Sequence, residues 1–104
     1  MKLKILERMI LMRILPTEGN FSTLKIIRDL QNELSFGEAE YKKYQLVQEG
    51  DKVHWDVDVD EKEQKDVKIG EIANSIIIGI LKDLDDKQKL TQQHLSVFEK
   101  FVKN

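Results

Sequence analysis

The sequence predicts an α+β fold in which four to five helices pack on a small antiparallel β-hairpin or three-stranded sheet, as one domain over residues 1–104. The first reason is the helical spacing of apolar residues in the first and last thirds of the chain. The second is "KVHWDVDVD", where Val53, Trp55, Val57 and Val59 alternate with His54, Asp56, Asp58 and Asp60. Period two belongs to a strand with one apolar and one wet face. The third is the turn-rich "EGD" between "YQLVQ" and that stretch, which joins the two as a hairpin.

Each element has its own signal. Leu3 to Leu15 is apolar at 3, 6, 10 and at 5, 9, 12, a helix with a broad apolar stripe that Pro16 stops. In "FSTLKIIRDLQNEL" the helical face is Leu24, Ile27, Leu30 and Leu34, joined by Ile26, with Asn20 or Ser22 as cap. Ser35 followed by Glu38 reads as a capping box for a short third helix that fades near Tyr44. "DVKIG" reads as a third short strand. "GEIANSIIIGILKDL" carries a stripe of Ile72, Ile76, Ile80 and Leu84, widened by Ile77, Ile78 and Leu81. After the polar "DDKQK", Thr91 caps a last helix with Leu95, Phe98 and Val102 inward and Phe101 beside them.

Composition limits what the chain can do. At 104 residues and 40% hydrophobic content it can fill one core. A chain of this size buries roughly 60% of its unfolded surface, so modest stability is expected. Without cysteine, disulfides, thiolate zinc sites and cysteine nucleophiles are excluded. The start "MKLKILERMILMRIL" is broken by Glu7, Arg8 and Arg13 and has no small-residue cleavage site, so no signal peptide is expected. The apolar run "IGEIANSIIIGIL" contains Glu71 and is too short to span a membrane. The expectation is a soluble, cytoplasmic protein that does not insert into a membrane.

The net charge of −2 conceals an asymmetry. Residues 1–28 hold six basic and two acidic residues, a balance of +4. Residues 49–66 hold eight acidic residues and three lysines, a balance of −5. Such polarity can steer a partner, although charge runs are most often solvated faces.

Asp56, Asp58 and Asp60 are the one metal-like pattern. An EF-hand loop begins the same way but needs glycine at its sixth position and glutamate at its twelfth. Counted from Asp56, those positions hold Glu61 and Val67. On a strand, same-face aspartates stand roughly 6.6 Å apart, too far for one ion to gather all three. No metal site is therefore expected; a magnesium or manganese site would need a further carboxylate from another element. His54 and His94 lack a second histidine at ligand spacing and read as solvent-facing or helix-polar. Trp55, Phe98 and Phe101 read as core, and an exposed Trp55 would instead be a binding anchor. No phosphate-cradling glycine motif is present, and no cofactor or catalytic residue is expected.

The stretches "LVQEGDKVHW", "KIGE" and "LKDLDDKQKLTQQHLSVFEKFV" carry a resemblance. They resemble small proteins encoded by phages and prophages of Gram-positive bacteria, which often have a Leu-Asp-x-x-x-Lys-Leu-Thr connector before a helix ending Glu-Lys-Phe. Here that pattern runs from Leu84 to Phe101, and "ILPTEGNFSTLKIIRDL" extends the likeness over most of the chain. The resemblance implies a viral or prophage origin and brings no activity or site residues.

The functional expectation is a small non-catalytic protein-interaction module that binds a host or phage protein and self-associates as a homodimer. Its warrant is the surplus of apolar residues in "SIIIGIL" and the first helix, with Ile77, Ile78 and Leu81 as candidate partner-binding residues. The alternative is a nucleic-acid-binding regulator of winged-helix architecture. The acidic hairpin that would form its wing would repel phosphate.

Overall fold

The computed structural model describes residues 1–103 and is α+β, mainly helical with two small antiparallel sheets. Strand β1 (Lys2–Leu3) leads into helix α1 (Ile5–Ile14). The side chain of Glu7 accepts the free backbone N–H of Lys4 at 2.8 Å and so closes the first turn. Leu15 leaves the helix in extended conformation, as the residue before Pro16 must. Helix α2 (Phe21–Leu34) is capped by Asn20, whose Oδ1 accepts from Thr23 N at 2.8 Å. Ser35 closes α2 rather than opening the next helix, and its hydroxyl donates to Asn32 O. Helix α3 (Glu38–Lys43) starts after Gly37, with Glu40 reaching back to the Gly37 amide.

Strands β2 (Val47–Glu49) and β3 (Lys52–His54) form the expected hairpin, in the register Val47↔His54, Gln48↔Val53, Glu49↔Lys52. Gly50 turns it with φ of 59°, a value glycine adopts without the Cβ clash that other residues meet. The strand expected over Val53–Asp60 ends at His54. Asp56 Oδ1 instead accepts the amides of Asp58 and Val59 at 3.0 and 3.2 Å and caps helix α4 (Val57–Lys62). Asp58 and Asp60 fall in its first turn, where negative charge suits the helix dipole. Of the strand expected in "DVKIG" only Asp66 lies in a ladder: β4 (Lys65–Asp66) pairs with β1 and not with the hairpin, and residues 67–70 are not strand. Helix α5 (Glu71–Asp86) follows. The last helical stretch is a 3₁₀ turn (Gln92–His94), helix α6 (Leu95–Phe98) and a π-helical turn (Glu99–Lys103).

The main core gathers Ile10 and Leu11 of α1 with Leu15 just beyond it, Ile27, Leu30 and Leu34 of α2, Ala73, Ile77 and Leu81 of α5, and Val97 and Phe101 from the last helical stretch. A second cluster holds Ile5, Tyr44 and Leu46, with Met9, Phe36, Val53, Trp55 and Val59 packed against it. The broad stripe of α1 is thereby explained, because that helix serves both clusters. Other faces are rotated from expectation. Ile72 is 64% exposed while Ala73 is buried, Leu95 is exposed while Val97 is buried, and Val57 is 62% exposed. Ile77 and Leu81, expected to face a partner, are fully buried, and Ile78 is half-buried against the same core. Among the described residues no helix is long and apolar enough to cross a membrane.

Candidate functional site

The three aspartates do not converge on one ion. Asp56 is occupied as a cap, Asp58 is exposed, and Asp60 is buried with its Oδ1 on the amide of Ile5 at 3.0 Å. Among the described residues no group of three or more His, Cys, Asp or Glu is arranged to hold a metal ion. His54 is exposed on the hairpin. His94 Nδ1 accepts the amide of Thr91 at 2.8 Å and closes the 3₁₀ turn that opens the last helical stretch.

Buried charge serves the architecture. Glu7 receives Lys4 N, Lys100 Nζ at 2.7 Å and the Ser96 hydroxyl, tying α1 to the last helical stretch. Burial pushes the Glu7 carboxyl up, but the hydrogen bonds from Lys100, Lys4 and Ser96, with the Lys100 charge, outweigh it and hold the pKa below the ordinary value. Asp60 goes the other way: burial raises its pKa, only partly offset by the Ile5 amide, the Lys4 charge and the Trp55 indole. Among the described residues every buried side-chain polar atom has a partner.

These shifts set a pH dependence. A carboxyl held low in the folded state contributes stability that is complete above the unfolded-state value and is lost as pH falls through the folded one. Asp60, held high, contributes the opposite trend, so it softens the acid limb. Urea midpoints should therefore fall as pH drops below about 4.3, the ordinary glutamate value. Glu7→Gln should lower the midpoint at neutral pH and flatten that limb. An acid limb as steep in Glu7→Gln as in the wild type would remove Glu7 from the explanation.

A groove of about 480 Å³ lies between α2 and the start of α5. Ile26, Asp29, Leu30 and Glu33 line its α2 side, the i, i+3, i+4, i+7 spacing of one helix flank. Ala73, buried in the first turns of α5, contributes only a methyl group, which leaves the apolar floor recessed. Exposed Ile72 stands beside it. Asp29, Glu33 and Glu71 edge the groove against a single cation, Lys68. Among the described residues none of these three carboxylates is in an ion pair.

Sequence reasoning missed this groove because Leu30 belongs to the core stripe and Ile26, Asp29 and Glu33 lie at its edge, so the four form no stripe of their own. The signal available was the run 26, 29, 30, 33, which mixes two apolar and two acidic residues on one flank. No family model, curated protein or solved structure matches the chain.

Proposed function

We propose that this chain is a non-catalytic protein-interaction module whose α2–α5 groove takes a large apolar side chain carried on a basic polypeptide segment. The observation that carries this reading is an apolar floor of Ile26, Leu30 and Ala73 edged by three unpaired carboxylates and one lysine. Apolar clefts with a few placed charged groups are typical of binding sites. Complementary charge steers the encounter and fixes orientation. The buried charged side chains, Glu7, Arg8 and Asp60, are each engaged in bonds that hold elements together, which fits a binding role better than a catalytic one.

Selection of displayed peptides on the full chain tests it. The expected consensus is one aromatic or long aliphatic residue flanked by Lys or Arg, bound more weakly as salt rises. Ile72→Ser and Glu33→Lys should each weaken that binding while leaving the far-ultraviolet circular dichroism unchanged. Failure to enrich any peptide, or enrichment of peptides indifferent to both substitutions, would reject the groove as a binding site.

A further inference from the structure

We infer that the segment received by the groove is the first half of α2 from a second copy of this chain; the inference rests on the groove reading above. Phe21 is 80% exposed, the most exposed of the large hydrophobic residues, and Leu24 beside it is 36% exposed. Lys25 and Arg28 complete the patch, and the four positions 21, 24, 25 and 28 again follow the i, i+3, i+4, i+7 spacing of one helix flank. Among the described residues neither cation is in an ion pair. The patch is thus an aromatic knob with two unpaired positive charges. The groove is an apolar hollow with three unpaired negative ones. Each has the chemistry that the other lacks.

The two surfaces are not the same face. Phe21 and Ile26 are five residues apart, which at 100° per residue sets them about 140° apart around α2. A copy that places its knob in a neighbour's groove keeps its own groove open. The contact is therefore heterologous, and it propagates into rings or open chains instead of stopping at a two-fold dimer. One helix flank against one groove is smaller than a standard interface, so association is weak and steeply dependent on concentration and salt.

Sedimentation equilibrium of the full chain from micromolar to millimolar concentration reads this out. The weight-average mass should rise from the 12.2 kDa of the monomer past twice that value, and less so at high salt. Phe21→Ser should lower the association constant by about tenfold or more, as loss of an aromatic anchor does. Lys25→Glu with Arg28→Glu should abolish association, since an acidic knob then meets an acidic groove. Glu33→Lys with Glu71→Lys should abolish it from the other side. An equimolar mixture of these two double variants should associate again, because each acidic surface then has a basic one to meet. Should a charge-swapped variant fail to fold, Phe21→Ser and Ile72→Ser carry the test, both at exposed positions. The inference is overturned by a wild type that stays monomeric throughout, by association that survives Phe21→Ser, or by double variants that stay apart when mixed. A groove that binds selected peptides in a chain that remains monomeric sinks the second-copy inference and leaves the module reading standing. Absence of both sinks both.

Discussion

Arg8→Ala is expected to cost about 3–5 kcal/mol, the range for breaking a buried charged pair, here a fully buried guanidinium on a partly buried Glu40 carboxylate. Arg8 is fully buried. Its Nε donates to Leu34 O at 3.0 Å and its Nη2 to Ser35 O at 2.7 Å, so an α1 side chain closes the carboxyl end of α2. Helix α2 has no basic residue in its own last turn, and the guanidinium supplies the positive charge that a helix C-terminus favours. The fork also meets both Glu40 oxygens, at 2.6 and 3.1 Å, which fixes α3. Phe36 lies against it, 4.1 Å from guanidinium carbon to ring centre. Burial raises the Glu40 pKa, yet the bonds and charge of Arg8 override this and hold it below the ordinary value. Alanine would strand the carboxylate and two helix-end carbonyls at once. Against a total stability of roughly 5–15 kcal/mol, the loss is large enough to unfold a marginal chain. Arg8→Lys should recover only part, because an ammonium cannot span the four acceptor oxygens of Leu34, Ser35 and Glu40 as the planar guanidinium does. Urea melts of the two variants measure this, with the Glu40 carboxyl expected to titrate higher in Arg8→Ala. A loss below about 1 kcal/mol would place the stabilisation elsewhere.

What the sequence made legible follows the distance over which each interaction acts. The helical stripe of α1, that of α2 except for the exposed Leu24, the stop at Pro16 and the Gly50 hairpin are local features, and local rules find them. The switch at Asp56 was also written locally. An aspartate followed by two more acids in the next four positions is a helix start as well as a strand edge. Trp55 and Val59 are four apart, so the apolar pair fits either period. The hairpin partner β2 is only three residues long, and Asp56 N finds Tyr44 O at 2.7 Å rather than a ladder, which leaves the following residues free to coil. Arg8 was not legible. One arginine in an apolar helix reads as a solvent-facing break, and its partners lie 26 to 32 residues away in sequence. The groove was hidden for a similar reason: it exists only where α2 and the start of α5 meet, and two of the residues that line it, Gly70 and Ala73, are small.

Ile77→Ala is expected to cost about 2–5 kcal/mol, whereas Ile72→Ser should change stability by less than about 0.5 kcal/mol. Helix α5 has isoleucine or leucine at 72, 76, 77, 78, 80, 81 and 84, an apolar arc too wide to orient the helix from sequence. The packing chooses Ala73, Ile77 and Leu81, spaced four apart, and leaves Ile72 in solvent. Ile77 has no exposed surface and sits in the cluster shared with α1, α2 and the last helical stretch. Truncation there removes three carbons from a site with neighbours on several sides, which cannot all collapse into the void. The cost therefore includes a cavity term, about 24 cal/mol for each Å³ that stays empty. Ile77→Val, which removes one methyl group, should cost only about 0.5–1.5 kcal/mol. Urea midpoints at unchanged m-value would report these as true stability differences. The paired result matters because stability and binding divide between the two residues. Loss of stability at Ile77 with loss of peptide binding at Ile72 assigns the inner face of α5 to the core and its solvent face to the groove. The reverse pattern would mean that the helix is rotated by about 140° from the orientation described, five residues at 100° each.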